Sequence, residues 1–223
     1  MIDKIQAFGD SFLYGSELSD CDGESRFSSK TWPALIADKL GLKYDCQAEG
    51  KSGNSKIAFE VIGYADPNAL VVINWSWIDR DIYFDVSGTK PCWVQMMSPH
   101  DEDEVSKFYY RNMHSELGGK YFSLVNIFSA HSYLKKKNIP FISTYMDKII
   151  TDSSWSNSPF VVHLQEQVTD ELRTFPGDQT FLEWSRANNY AEGQGWHPLE
   201  EAHEEAAEIW RPIYEQAINT HIT

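Results

Sequence analysis

The stretch ALVVINW, from Ala69 to Trp75, is apolar except for Asn74 and β-branched at its centre. A strand with one face in water alternates apolar and polar residues, whereas an unbroken apolar strand must be covered on both faces. Strands of that kind sit inside parallel sheets with helices above and below. No other segment of the 223 residues restricts the fold as much.

Segments on either side supply the rest of such a sheet. Residues 4–8 read as a first strand and 43–49 as a second, while 140–146 read as a strand that follows a strong helical pattern over 120–138. Residues 31–42 hold Trp32, Leu35, Ile36 and Leu40 at helical spacing, and Gly41 is a good helix stop. Helices are also expected over 56–63, over 181–190 and from Pro198 to the end, and a short apolar run occupies 159–164. Regularity fails between Ile78 and Gly119, where aromatic residues are interleaved with SPHDEDE. The expectation is one α/β domain over residues 1–223, carrying an irregular aromatic-rich insert at about 79–118.

Charge narrows the partners. Asp and Glu number 33 against 19 Lys and Arg, a net charge of -14, so a phosphate backbone would be repelled and nucleic acid is excluded as a partner. The basic run Lys135-Lys136-Lys137 fits the solvated end of a helix. Cys21, Cys46 and Cys92 are too scattered for a disulfide framework or a zinc site. The N-terminus lacks the pattern of a signal peptide, and no apolar run reaches spanning length. A soluble chain without a membrane partner is expected, cytoplasmic or virion-associated.

Several site motifs fail on inspection. EGKSG (49–53) comes close to a phosphate-binding loop, but Asp45 stands where its first glycine belongs. The acidic run 101–104 lacks the spacing of a calcium loop, and His197 and His203 have no evident third metal ligand. Neither a metal nor an organic cofactor is implied.

What remains is a convergence on one rim. Ser11 follows the first strand, Gly53 the second and Ser76 the third, and ligands of parallel sheets collect at the carboxyl ends of strands. Ser11 lies in FGDSFLYG, where Asp and Ser also suit a helix cap. A nucleophilic serine needs a base. Of the seven histidines, His131 and His163 sit where packing is expected, His100 in an acidic loop and His221 in the tail. His197 lies in GQGWHP, with Gly193 and Gly195 freeing the loop and Pro198 suited to a helix start. Leu13 stands where a nucleophile elbow would need its second glycine, which excludes an ordinary α/β-hydrolase.

In three blocks, FGDSFLYG, AEGKSGNS and GWHPLEEAH, the chain resembles the SGNH (GDSL-type) hydrolases. The resemblance implies a three-layer, flavodoxin-like sandwich with a mostly parallel five-stranded sheet. It implies Ser11 as nucleophile, His197 as base, and the N–H groups of Ser11 and Gly53 as oxyanion donors. The family's carboxylate stands three residues before the histidine, which here is Gln194, with Glu192 two residues further back. Either of these, a backbone carbonyl or a bare Ser-His dyad would then serve. The third block reads VINWSWIDRD and lacks the family's Gly-x-Asn-Asp, leaving Ser76, Asn74 or Asn54 as the further oxyanion donor.

Substrate contacts are expected from Asp10, Asn54, Trp75, Trp77, Arg80 and Trp196, with Trp75, Trp77, Trp93 and Arg80 as a stacking surface. The activity implied is hydrolysis of a small acyl ester, acetyl in the simplest case, on a small molecule or a carbohydrate. The alternative keeps the scaffold as a weakly active or inactive binding or virion-type structural protein, and the insert as either packing or a wall beside Ser11.

Overall fold

The computed structural model describes residues 2–22, 26–86, 92–96 and 103–222. His100, Asp101, Glu102 and the Cys92 side chain fall outside what is described, and Cys21 and Cys46 are free thiols. Strands β1 (Lys4–Phe8), β2 (Lys43–Cys46) and β3 (Ala69–Trp75) precede a separate antiparallel hairpin, β4 (Asp81–Asp85) and β5 (Cys92–Met96). β6 (Phe141–Tyr145) and β7 (Leu172–Arg173) complete the main sheet, ordered β2-β1-β3-β6-β7. Every pairing in it is parallel, so the sheet is wholly rather than mostly so.

The residues of β3 are all buried, and they divide by parity. Leu70 and Val72 face the same side as Ile5 and Ala7 of β1 and Ile142 of β6. Ala69, Val71, Ile73 and Trp75 face the other, with Phe8. Helices α1 (Ser11–Tyr14), α2 (Trp32–Leu40), α7 (Phe181–Ala187) and α8 (Glu200–Ile222) cover the first face, where Trp32, Phe175, Phe181 and Trp210 interlock. Helices α3 (Asn54–Tyr64), α5 (Glu116–Lys137) and α6 (Pro159–Val168) cover the second, and α4 (Glu104–Asn112) belongs to the insert. Each buried branched side chain contributes roughly 1.5–3 kcal/mol, so both faces are needed to hold the centre strand dry.

Two expected elements differ. The apolar run 159–164 opens α6, with Pro159 in its first turn and only Val161 and Val168 buried. The fifth strand is instead the two-residue β7, too short and polar to leave a pattern. Helix α5 starts four residues before the expected Lys120, capped by Ser115, and carries Gly118 and Gly119 in its first turn. Gly119 is there for contact: a Cβ at this position would sit 2.5 Å from the Ile78 carbonyl oxygen. That approach presses α5 onto the loop following β3, and Ile78 N–H also donates to Asp147 at 3.1 Å. The loop carrying residues 76–80 is therefore clamped from two sides.

Two histidines lie inside the protein in their neutral form. Burial lowers the pKa of His203 to about 3, and its Nδ1 accepts from the Trp32 N–H at 3.2 Å. Burial, helped by Lys135, likewise lowers His131 to about 3, with Nε2 2.9 Å from Ser143 Oγ. An unfolded histidine takes a proton near pH 6.5, so between about 6.5 and 3 the unfolded chain binds more protons than the native one. Stability should therefore fall on acidification through that window, each imidazole adding up to about 1.4 kcal/mol per pH unit. Urea unfolding of wild type and His131→Gln between pH 7 and 4 tests this: the variant should start less stable but lose stability less steeply. Parallel slopes would refute it.

Candidate active site

Ser11 stands where β1 gives way to α1, at the point of the sheet where chain order reverses between β2 and β3. Crevices at such switch points are where ligands enter doubly wound sheets. The turn is enforced by Asp10, whose side chain accepts from the Phe12 N–H at 3.1 Å and caps α1. After one turn the helix stops at Gly15, at φ 79°, where a Cβ would collide with Ser28 at 2.4 Å. The chain then bends through Glu17, also left-handed at φ 71°.

That bend places Glu17 behind His197. The Nε2 of His197 is 2.8 Å from Ser11 Oγ, and its Nδ1 is 2.7 Å from Glu17 Oε2. An ionised carboxylate only accepts, so Nδ1 carries the proton and Nε2 accepts from the Ser11 hydroxyl. Burial alone would lift the Glu17 carboxyl, but hydrogen bonds from the Gly195 N–H and from the imidazole outweigh it and hold its pKa below the usual range. The Gly195 N–H spans both carboxylate oxygens, at 2.8 and 2.9 Å. Phe12 lies against the imidazole, with ring centroids 5.0 Å apart. Groups from residues 11, 17 and 197 thus form one hydrogen-bonded chain, the arrangement that lets a serine lose its proton as it attacks.

The residues expected behind His197 are elsewhere. Gln194 is exposed and makes no hydrogen bond to the imidazole, and the Glu192 carboxylate pairs with Arg186 at 2.7 and 3.1 Å. Glu17 was missed because it follows the nucleophile by six residues and sits in a turn that no periodicity announces. A signal did exist in Gly193 and Gly195. A Cβ on Gly193 would lie 2.5 Å from the Glu17 carboxyl carbon, so these glycines make room for a carboxylate as well as freeing a loop.

The candidate oxyanion side chains are all buried, and only Asn74 Nδ2 among their donors lacks a partner. Asn54 Oδ1 accepts from the Ser76 N–H at 2.8 Å, while its Nδ2 donates to the Ser76 carbonyl and to Ser123. Asn74 is buried in the sheet and accepts from Thr144. Ser76 Oγ donates to Asp10 at 3.0 Å. The N–H groups of Ser11 and Gly53 make no hydrogen bond among the described residues. Gly53 is packed beneath the Arg80 backbone, whose carbonyl oxygen lies 2.6 Å from where a Cβ would be.

A cavity of about 1040 Å³ opens over Ser11 and His197. Its wall includes Trp77, Arg80, Lys51, Gln95 of the hairpin, Arg186 and Trp196. Trp77 carries the Arg80 guanidinium on its face at 4.3 Å, and Arg186 lies 5.6 Å from the Trp196 ring. Trp75 does not join them: it has no exposed surface, and its Nε1 donates to Ser143 in the core. Trp93 packs with Phe84 and Phe59, away from the cavity lining. The insert therefore both packs its aromatics and lends Gln95 to the wall. Lys51 and Trp196 hold left-handed backbone at φ 69° and 67°, conformations that cost a non-glycine residue energy and that gather at functional sites. Among the described residues no cluster of His, Cys, Asp and Glu is arranged to hold a metal ion, and no helix is long and apolar enough to cross a membrane.

No protein-family model matches the chain, and no curated protein sequence does. Solved structures do match it over nearly its whole length. A protein of the G-D-S-L family from Desulfitobacterium hafniense DCB-2 aligns at 11% identity and a TM-score of 0.50, covering 95% of this chain and 99% of that one. TesA aligns at 14% identity and 0.52, with 96% and 99% covered. The acetyl xylan esterase AlAXEase aligns at 11% identity and 0.51, with 94% and 99% covered. At such identities the likeness is one of architecture, and that architecture is the SGNH-hydrolase fold.

The Glu17–His197 contact yields a direct spectroscopic expectation. A Nδ1 proton held by a carboxylate should resonate far downfield in the proton NMR spectrum of the wild type. Gly193→Ala, which drives a methyl group into Glu17, should remove that signal with little change in melting temperature, and Glu17→Ala should do the same. A downfield signal that persists in both variants would refute the contact.

Proposed function

We propose that the protein is a serine ester hydrolase of the SGNH type. The observation that carries the reading is the unbroken hydrogen-bonded chain from Ser11 Oγ through His197 to Glu17 at the floor of an open cavity. Ser11 Oγ bonds to the acyl carbon while its proton passes to His197 Nε2. The tetrahedral intermediate collapses as the same proton goes to the departing alcohol. Water, deprotonated by His197, then releases the acid and restores Ser11. Glu17 fixes the tautomer and stabilises the imidazolium at each stage.

For the substrate, we propose a small acyl ester on a carbohydrate or similarly polar alcohol. Trp196, largely exposed in the cavity wall, offers a ring to a sugar, and acetyl xylan esterase AlAXEase shares the fold. A binding or structural scaffold would need no carboxylate behind His197, and the Glu17 contact at 2.7 Å supports the hydrolase reading over it.

Hydrolysis of p-nitrophenyl acetate and labelling by a fluorophosphonate test the reading together. Ser11→Ala should abolish both, and His197→Ala should lower both to near background. Glu17→Gln should retain the fold yet lose on the order of 10⁴ in kcat. Activity that survives in Ser11→Ala would refute the assignment.

A further inference from the structure

We propose that Arg80 completes the oxyanion site, its guanidinium meeting the negative charge that develops on the substrate carbonyl oxygen as Ser11 attacks. The proposal rests on the ester-hydrolase reading above. It starts from a shortage: Asn54 Nδ2 and the Ser76 N–H are engaged within the protein, and Asn74, whose Nδ2 has no partner, is fully buried and outside the cavity lining. The backbone N–H groups of Ser11 and Gly53 remain, and a side-chain donor added to them is worth roughly 10²–10³ in rate.

Arg80 is held where that donor is needed. Its backbone lies directly on Gly53, the carbonyl oxygen 2.6 Å from the position of a Cβ. Its side chain runs back to Asp10, the neighbour of Ser11, with Nη1 3.2 Å from Asp10 Oδ2 and 3.1 Å from Ser76 Oγ. One residue thus links the two places from which free N–H groups are offered. The guanidinium is also stacked on Trp77 at 4.3 Å, so its position is fixed on three sides. Both polar bonds use Nη1, and the Nε and Nη2 donors make no hydrogen bond among the described residues while the side chain lines the cavity.

Other cations in the wall are less suited. Arg186 is held bidentately by Glu192, and Lys51 is exposed with no partner among the described residues. In the proposed step, the new Oγ–C bond pushes the carbonyl π pair onto oxygen, and His197 takes the serine proton. Arg80 moves no proton. It offers fixed charge and two directed donors to the oxygen, and releases it when the carbonyl reforms and the alcohol leaves. A pinned charge whose side chain is only 15% exposed needs little reorganisation at that moment.

The test compares neutral p-nitrophenyl acetate with an anionic ester such as a p-nitrophenyl hemisuccinate, on wild type, Ser11→Ala and Arg80 variants. Arg80→Gln should lose about 10²–10³ in kcat on both esters with KM little changed. Arg80→Lys should fall between. Guanidinium ion at millimolar concentration should raise the rate of Arg80→Ala several-fold without raising that of wild type. Removing Arg80 strands a buried carboxylate, so Asp10→Asn/Arg80→Gln is compared with Asp10→Asn, and the same kcat loss is expected with both charges gone. An Arg80→Gln enzyme at full kcat on the neutral ester, or impaired only in KM for the anionic one, overturns the assignment. A wild type with no Ser11-dependent turnover would bring down the hydrolase reading as well, which separates the two failures.

Discussion

A carboxylate without access to water ties the end of the first strand to the loop after the third. Asp10 is fully buried, and taking such a charge out of water costs several kcal/mol unless its oxygens are well met. They are met by the Phe12 N–H from the turn after β1 and by the Ser76 hydroxyl and Arg80 guanidinium from the loop after β3. Burial pushes the Asp10 carboxyl above its usual range, and Arg80 with the two neutral donors offsets only part of that rise. The consequence is geometric. Asp10 sets the turn that presents Ser11, and the same carboxylate fixes the side chain that faces the space above it.

The other half of the site is assembled across nearly the full length of the chain. His197 arrives from the loop before α8, while its carboxylate comes from the opening segment six residues after the serine. Both ends are locked by close approach. Gly193 and Gly195 have no Cβ to keep Glu17 away, and the Gly193 N–H closes the loop on the His197 carbonyl at 2.9 Å. Glu17 itself holds an unfavourable left-handed backbone. The Gly195 N–H, shared between both carboxylate oxygens, and the imidazole offset that strain, so the bend and the site stabilise each other.

This division explains how much the sequence revealed. β3 and the helical spacing through Trp32 and Ile36 are period signals, and period is what a core face imposes on a sequence. Ser11 and His197 were legible because short motifs held them at strand and helix ends. Glu17 was not, since a side chain that reaches its partner through a turn leaves no spacing rule behind. The same holds for the hairpin and for the two-residue β7. Their pairing is defined by the sheet they join and not by a pattern of their own. Trp75 misled in the opposite sense: two positions apart on a strand it would share a face with Trp77, yet β3 ends at Trp75, so Trp77 lies in the loop beyond it while Trp75 is turned into the core.

Charge gives the last case of a global property failing locally. The chain carries a net charge of -14, which suggests a surface hostile to anions. The cavity wall is different, with Lys51, Arg80 and Arg186 against Glu49. Glu49 is in turn drawn off by Lys56 and by Gln95 at 3.3 Å. Screening in water shortens the reach of the distant acidic groups to about 8–10 Å, so a group inside the cavity feels mainly its own wall. The acidic exterior therefore bears on solubility and long-range encounter. The energetics at Ser11 follow from the few charges fixed within reach of it, Arg80 beside Asp10 and Glu17 behind His197.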